Sequence, residues 1–147
     1  MLDSYIKSAQ EIQDEIVNAF QALAGDREAM LNYIIELGEK LPPLADRYKT
    51  EHNLIKGCMS TVWLAHDQAE DRLFFAADSN TAITKGLISL LLRVLSGQRI
   101  EDIPHTNLYF ADQIGMSQLI GSQRSSGFAS MIKQIRMIAL AYQAKMD

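Results

Sequence analysis

The chain is poor in sulfur and imidazole chemistry, with one cysteine, Cys58, and three histidines, His52, His66 and His105, in 147 residues. One thiol cannot close an intramolecular disulfide, so no disulfide framework holds the fold, and a reducing compartment, the cytoplasm, is expected. The histidines are scattered and form no ligand pair at zinc or iron–sulfur spacing, so neither a bound metal nor a cofactor is expected. Long apolar runs are also missing. The longest candidate, Gly86 to Leu95, is interrupted by Ser89 and Arg93 and falls short of the roughly 18 residues of a membrane span. The first residues, Met1 to Lys7, lack the basic segment and apolar stretch of a signal peptide. A soluble protein with no membrane partner is therefore expected. Positive charge is in deficit, with 14 Lys and Arg against 18 Asp and Glu and a formal charge of -4. The cations are dispersed, which argues against a nucleic-acid groove.

The hydrophobic content is 48%, enough at this length for one core and too little chain for two, so residues 1–147 read as one domain. Ile6, Ala9, Ile12, Ile16, Phe20 and Leu23 recur every three or four residues and predict a helix over 5–24. Ser8 and Glu11 have capping-box spacing, which places the regular start after Tyr5. A second helix is expected after Asp26, burying Met30, Tyr33, Ile34, Leu37 and Leu41 and ending at Pro42-Pro43. The two would form a helical hairpin.

From Asn53 to Asp78 the chain turns to β-branched and aromatic residues. Met59 to Ala65 and Arg72 to Ala77 read as strands around the polar turn 66–71, with the segment before Gly57 as a third antiparallel strand. Trp63 is expected to anchor the core. A strongly apolar helix follows the capping side chains of Asp78-Ser79-Asn80-Thr81 and runs to Gly97. Pro104 and Gly115 break 100–120 into short helical pieces. A last helix over 122–144 presents Phe128, Met131, Ile135, Ile138 and Tyr142 on one stripe. Strands grouped between helices give an α+β class, with a small antiparallel three-stranded sheet packed against flanking helices.

Three polar signals stand out. Gly57-Cys58 falls at a predicted tip, where a thiol on a tight bend can be offered to a partner, although a lone cysteine serves equally as a small core hydrophobe. Asp78-Ser79 lies at a strand-to-helix junction, where simple capping is the alternative role. Arg124, with Gly127, opens the last helix, where a solvated charge and a close-packing glycine would also fit.

Taken together these segments resemble the SufE family of sulfur-acceptor proteins, which serve cysteine desulfurases in iron–sulfur cluster assembly. The resemblance covers almost the whole chain. It is carried by Tyr33-Ile34-Ile35-Glu36-Leu37-Gly38 with Leu41-Pro42, by Gly57-Cys58-x-Ser60-x-Val62-Trp63, by Asp78-Ser79 with Lys85-Gly86-Leu87-Ile88, and by Arg124-Ser125-x-Gly127 with Met131. The chain departs from the family pattern at Asn80-Thr81, where the family usually has an acidic residue and alanine, and at Ser122-Gln123, where it has Pro-Ser.

The resemblance implies a SufE/IscU-like fold. It also implies that Cys58 accepts sulfur from the persulfide of a SufS-like cysteine desulfurase and passes it to a SufBCD-like cluster scaffold, so that the chain activates the desulfurase and is not a stand-alone enzyme. Within that picture Arg124 is the candidate for stabilising a thiolate or persulfide on Cys58. Gly57 would ease movement of the loop, Asp78 and Ser79 would cap and shape a docking surface, and Leu54, Ile55 and Met59 would shield the resting thiol. A cysteine hydrolase fits less well, since no histidine sits in a recognisable catalytic setting, and a cluster scaffold would need more cysteines.

Overall fold

The structure, a computed structural model, describes residues 6–146. Helix α1 spans Ala9–Gln21. Ser8 caps it as the capping-box spacing requires, accepting from the Glu11 N–H at 3.1 Å, while its hydroxyl lies 3.2 Å from the Glu11 carboxylate. Tyr5, the predicted first residue, lies outside the described residues, and Ile6 precedes the helix. Ile12, Ile16, Val17 and Phe20 face the core. Helix α2, Arg27–Glu39, starts at Asp26, whose carboxylate accepts from the Ala29 N–H at 3.1 Å. Ala24 and Gly25 turn the corner between them with φ of 53° and 75°.

The expected helical hairpin is not a close pair. The rings of Phe20 and Tyr33 meet edge to face at 5.1 Å, but α2 packs mainly on a third helix, which α1 also touches. That helix, α3 (Ala82–Leu95), buries Thr84, Gly86, Leu87, Ile88, Leu90, Leu91, Leu92, Val94 and Leu95. A helix apolar on so many sides must be enclosed. Against α2 it is enclosed by backbone contact, because the two helices cross at Gly38 and Gly86. A Cβ on Gly38 would stand 2.6 Å from the Gly86 nitrogen, and one on Gly86 would collide with the Ile34 carbonyl oxygen. These two glycines supply close approach, not turn geometry.

The sheet corrects the sequence-based expectation. It has two antiparallel strands, β1 (Val62–Ala69) and β2 (Arg72–Ser79), not three. The segment before Gly57 contributes a single bridge, Leu54 to Trp63, with the Ile55 N–H donating to the Val62 carbonyl at 2.9 Å. Two short 3₁₀ turns, Asp46–Tyr48 and Glu51–Asn53, take up the chain just before it. Only two residues then remain extended before the Gly57 bend, too few for a strand.

The hairpin loop is also shorter than the expected 66–71. Pairing continues to Ala69 opposite Arg72, leaving Glu70-Asp71 as a two-residue turn with Glu70 at φ 57°. Polar residues at the strand ends extend into solvent, as one-sided burial of an antiparallel pair allows. Strand alternation accounts for Trp63 as well. Val62 and Leu64 are buried on the core face, so Trp63 faces the other way, half-buried under Lys49, whose Nζ is 5.5 Å from the ring centroid. It does not anchor the core.

After α3, a 3₁₀ turn at Ile103–His105 holds Pro104 in its first positions. Two short helices follow, α4 (Phe110–Gln113) and α5 (Met116–Ile120), separated by Gly115 in the left-handed region at φ 72°. The long helix α6, Ser122–Met146, closes the fold, burying Gly127, Phe128, Met131, Ile135 and Ala139. Ile138 and Tyr142 are partly buried beside them.

Gly86→Ala is expected to destabilise the protein by about 2 kcal/mol or more, since the added methyl meets backbone that cannot rotate away. Denaturant unfolding checks this, with the midpoint falling and the slope unchanged.

Candidate functional site: a thiol seated against helix α6

The bend that carries Cys58 depends on its glycine twice. Gly57 has φ 88°, open to glycine and strained for other residues, and a Cβ there would stand 2.5 Å from Ser130 Oγ on α6. Past the bend, Cys58 is half-buried, and its Sγ donates to the Gly127 carbonyl oxygen at 3.4 Å. A Cβ on Gly127 would lie 3.6 Å from that sulfur, so the bare glycine leaves open the space directly over the thiol. Sequence positions 69 residues apart are thereby joined.

A cleft of about 220 Å³ opens beside the sulfur, lined by Cys58, Met59, Ser60, Thr84, Leu87, Gln123, Arg124, Gly127 and Met131. Two of the predicted groups therefore meet: Cys58 from the loop and Arg124 from the first turn of α6 line the same space. Arg124 is exposed and makes no ion pair among the described residues. Burial pushes the Cys58 thiol above its ordinary value, so the resting state favours the neutral thiol. The shielding expected from Met59 is not present, since that side chain is 80% exposed. Leu87, Gly127 and Met131 line the cleft beside the sulfur.

Asp78 and Ser79 do not cap α3. They are the last residues of β2, and the cap position belongs to Thr81, which makes no side-chain cap bond. Asp78 is 7% exposed and meets Lys49 at 3.2 Å and Lys85 at 3.4 Å, while its Oδ1 accepts from the Ser79 N–H at 2.8 Å. Burial alone would raise its pKa, but that amide and the two ammonium groups hold the carboxyl below its usual value.

Ser79 and Asn80 secure the far side of the cysteine loop. Ser79 Oγ donates to the Thr61 carbonyl at 2.8 Å, and the Asn80 side-chain oxygen accepts from the Thr61 N–H at 3.0 Å. One step nearer the thiol, Ser60 Oγ lies 2.9 Å from Thr81 Oγ1 and accepts from Thr84 Oγ1 at 3.1 Å.

Sequence reasoning gave no role to Lys49, Lys85 or the Ser60–Thr84 pair, although Ser60 and Lys85 fall in the segments that carry the resemblance. A signal for the pair was available, because Thr84 is the one hydroxyl on the buried side of an otherwise apolar helix. The histidines lie elsewhere on the surface: His66 pairs through Nδ1 with the Tyr142 hydroxyl at 2.7 Å. No group of three or more His, Cys, Asp or Glu able to hold a metal occurs among the described residues.

Comparison with known proteins decides the family. Residues 14–139 match the model of the SufE, Fe-S metabolism associated domain. The chain belongs to the SufE family. An uncharacterized SufE-like protein of Rhizobium meliloti is 36% identical over 128 residues, covering 84% of this chain and 91% of that one. An uncharacterized SufE-like protein of Rhizobium etli is also 36% identical, with 84% and 86% covered. The Arabidopsis thaliana SufE-like protein 1, chloroplastic/mitochondrial, is 33% identical over 89% of this chain, which matches 35% of that longer protein.

A solution structure of a hypothetical protein from Thermus thermophilus shares the fold, with a TM-score of 0.74 at 15% identity over 90% of this chain and 96% of that one. Membership of the SufE family places the chain in iron–sulfur metabolism and sulfur transfer. No helix among the described residues is long and apolar enough to cross a membrane.

Because the folded Asp78 carboxyl titrates below its unfolded value of about 3.9, its contribution to stability is present above that pH and is lost as pH falls through the folded value. Asp78→Asn is therefore expected to destabilise the protein by about 1–3 kcal/mol near neutrality. The variant and the parent should converge in acid, which urea unfolding across pH would read.

Proposed function

We propose that Cys58 is the sulfur-carrying nucleophile of the chain, accepting sulfur from a cysteine desulfurase, stimulating that enzyme, and delivering the sulfur to an iron–sulfur cluster scaffold. The observation that carries this reading is the seating of the chain's one thiol against the Gly127 carbonyl, in a cleft whose wall includes Arg124. The transfer is a thiol–disulfide-type exchange. The Cys58 thiolate attacks the terminal sulfur of the partner's persulfide, and a new sulfur–sulfur bond forms as the old one breaks. The electron pair of the broken bond stays on the partner's cysteine, which leaves as a thiolate, while the terminal sulfur and any proton on it pass to Cys58. No net oxidant or reductant is consumed.

The thiolate is the attacking species, whereas the resting structure favours the thiol. Arg124 supplies a permanent positive charge at the cleft wall, and its role is to stabilise the anion once the sulfur leaves the Gly127 carbonyl. Gly57 is the hinge on which the thiol turns toward the partner. Ser79 fixes the opposite end of the loop, and Asp78 with its two lysines shapes the surface around it. A reducing cytoplasm suits a carrier whose cargo rests on a single exposed-on-demand sulfur.

Cys58→Ser should leave the circular dichroism spectrum unchanged and abolish stimulation of the desulfurase, because the hydroxyl fills nearly the same space and cannot form a persulfide. Arg124→Ala should retain binding and slow transfer about tenfold or more, the loss expected for one charge-assisted contact to an anion. Full stimulation by the serine variant would reduce the chain to an adaptor that merely binds.

A further inference from the structure

Ser60 and Thr84 are a pair of hydroxyls in the cleft wall that the sulfur-carrier reading does not assign. Thr84 is 6% exposed and sits in the first turn of α3. A threonine there commonly bonds back to its own helix backbone. This one reaches across to Ser60, donating at 3.1 Å. The exposed Thr81 hydroxyl approaches the same oxygen at 2.9 Å.

A serine hydroxyl has one proton and two acceptor lone pairs. When Thr84 and Thr81 both donate to Ser60, its lone pairs are filled and its proton is left for a third group. That oxygen lines the same cleft as Cys58, two residues earlier in the chain.

The thiol side of the cleft creates a need for such a donor. At rest Sγ is itself the donor, to the Gly127 carbonyl. On losing its proton the sulfur can no longer donate there and faces a carbonyl oxygen with the same sign of charge, so it must find donors elsewhere. Among the described residues the cleft wall carries one charged side chain, Arg124, and the remaining side-chain donors are Ser60, Thr84 and Gln123.

We infer that Ser60, with its proton aimed by Thr84 and Thr81, is the hydrogen-bond donor that receives the Cys58 sulfur anion in the cleft, as thiolate and then as persulfide. The inference rests on the carrier reading for the persulfide but not for the thiolate. Ser60 would act on the reacting sulfur directly, and Thr84 is a positioning residue that acts through Ser60.

The test is the pH profile of Cys58 alkylation by iodoacetamide in the free, full-length protein. Loss of one hydrogen bond to an anion should lower the thiolate fraction at neutral pH about tenfold. Ser60→Ala should therefore be alkylated about tenfold more slowly at pH 7 and equally fast at the alkaline plateau, with the profile displaced to higher pH. Thr84→Val, which keeps the shape and removes the hydroxyl, should show a smaller displacement in the same direction, and Thr84→Ser should restore the parent profile.

Simple loosening of the loop would raise the plateau without displacing the profile. That result, or profiles identical to the parent, overturns the inference. Circular dichroism reports folding of each variant, and Thr84→Val with its serine rescue decides the matter if Ser60→Ala is misfolded. Failure of the parent protein to take sulfur from a desulfurase would count against the carrier reading and would leave these profiles unaffected.

Discussion

A helix that is apolar on nearly every side has to be covered on every side, and α3 is that helix. Its neighbours are arranged by this demand. The β-hairpin covers one flank, α1 and α2 cover others, and α6 closes the remainder. Where side chains would hold α2 and α3 too far apart, Gly38 and Gly86 remove them and let the backbones touch. The site follows from the same packing, because Thr84 and Leu87 on α3 and Gly127 and Met131 on α6 face each other across the cleft at Cys58. Burial of this order on both helices, at about 1.5–3 kcal/mol for each large apolar side chain, fixes the cleft far more firmly than the single thiol contact within it.

The thiol contact is weak by comparison, and its weakness suits a carrier. A neutral sulfur donating to a carbonyl at 3.4 Å is held only while it keeps its proton. The loop around it is anchored on both sides of the bend. Thr61 is fixed through both its backbone groups by Ser79 and Asn80, and ahead of the bend the Ile55 N–H donates to the Val62 carbonyl, which leaves Cys58 and the exposed Gly57 between the two anchors. The proposed movement of Cys58 about Gly57 would fall between these anchors. The raised thiol pKa belongs to the same picture, since a half-buried neutral thiol is a weaker nucleophile than the thiolate.

Much of this was legible in the sequence where the information was local. Ser8 with Glu11, Asp26, and Gly115 marked helix boundaries that the structure reproduces, and the stripe from Phe128 to Tyr142 gave the inner face of α6. The Gly57-Cys58 segment singled out the bend and the thiol. What failed depended on partners distant in sequence. Nothing local shows that Leu54 and Ile55 form a bridge instead of a strand, or that Trp63 faces a lysine instead of the core. The capping role assigned to Asp78 was reasonable for an aspartate before a helix, but the strand runs one residue beyond it, and two lysines from different elements claim the carboxylate. The meeting of Cys58 with Gly127 and Arg124 required the fold itself.

The central claim is that Cys58 carries sulfur, and mass spectrometry of the full-length protein after incubation with a cysteine desulfurase and free cysteine tests it most directly. The account predicts a gain of one sulfur atom, removed by a thiol reductant and mapped to the peptide containing Cys58. A protein that stimulates the desulfurase while its Cys58 peptide keeps its original mass under non-reducing conditions would contradict it.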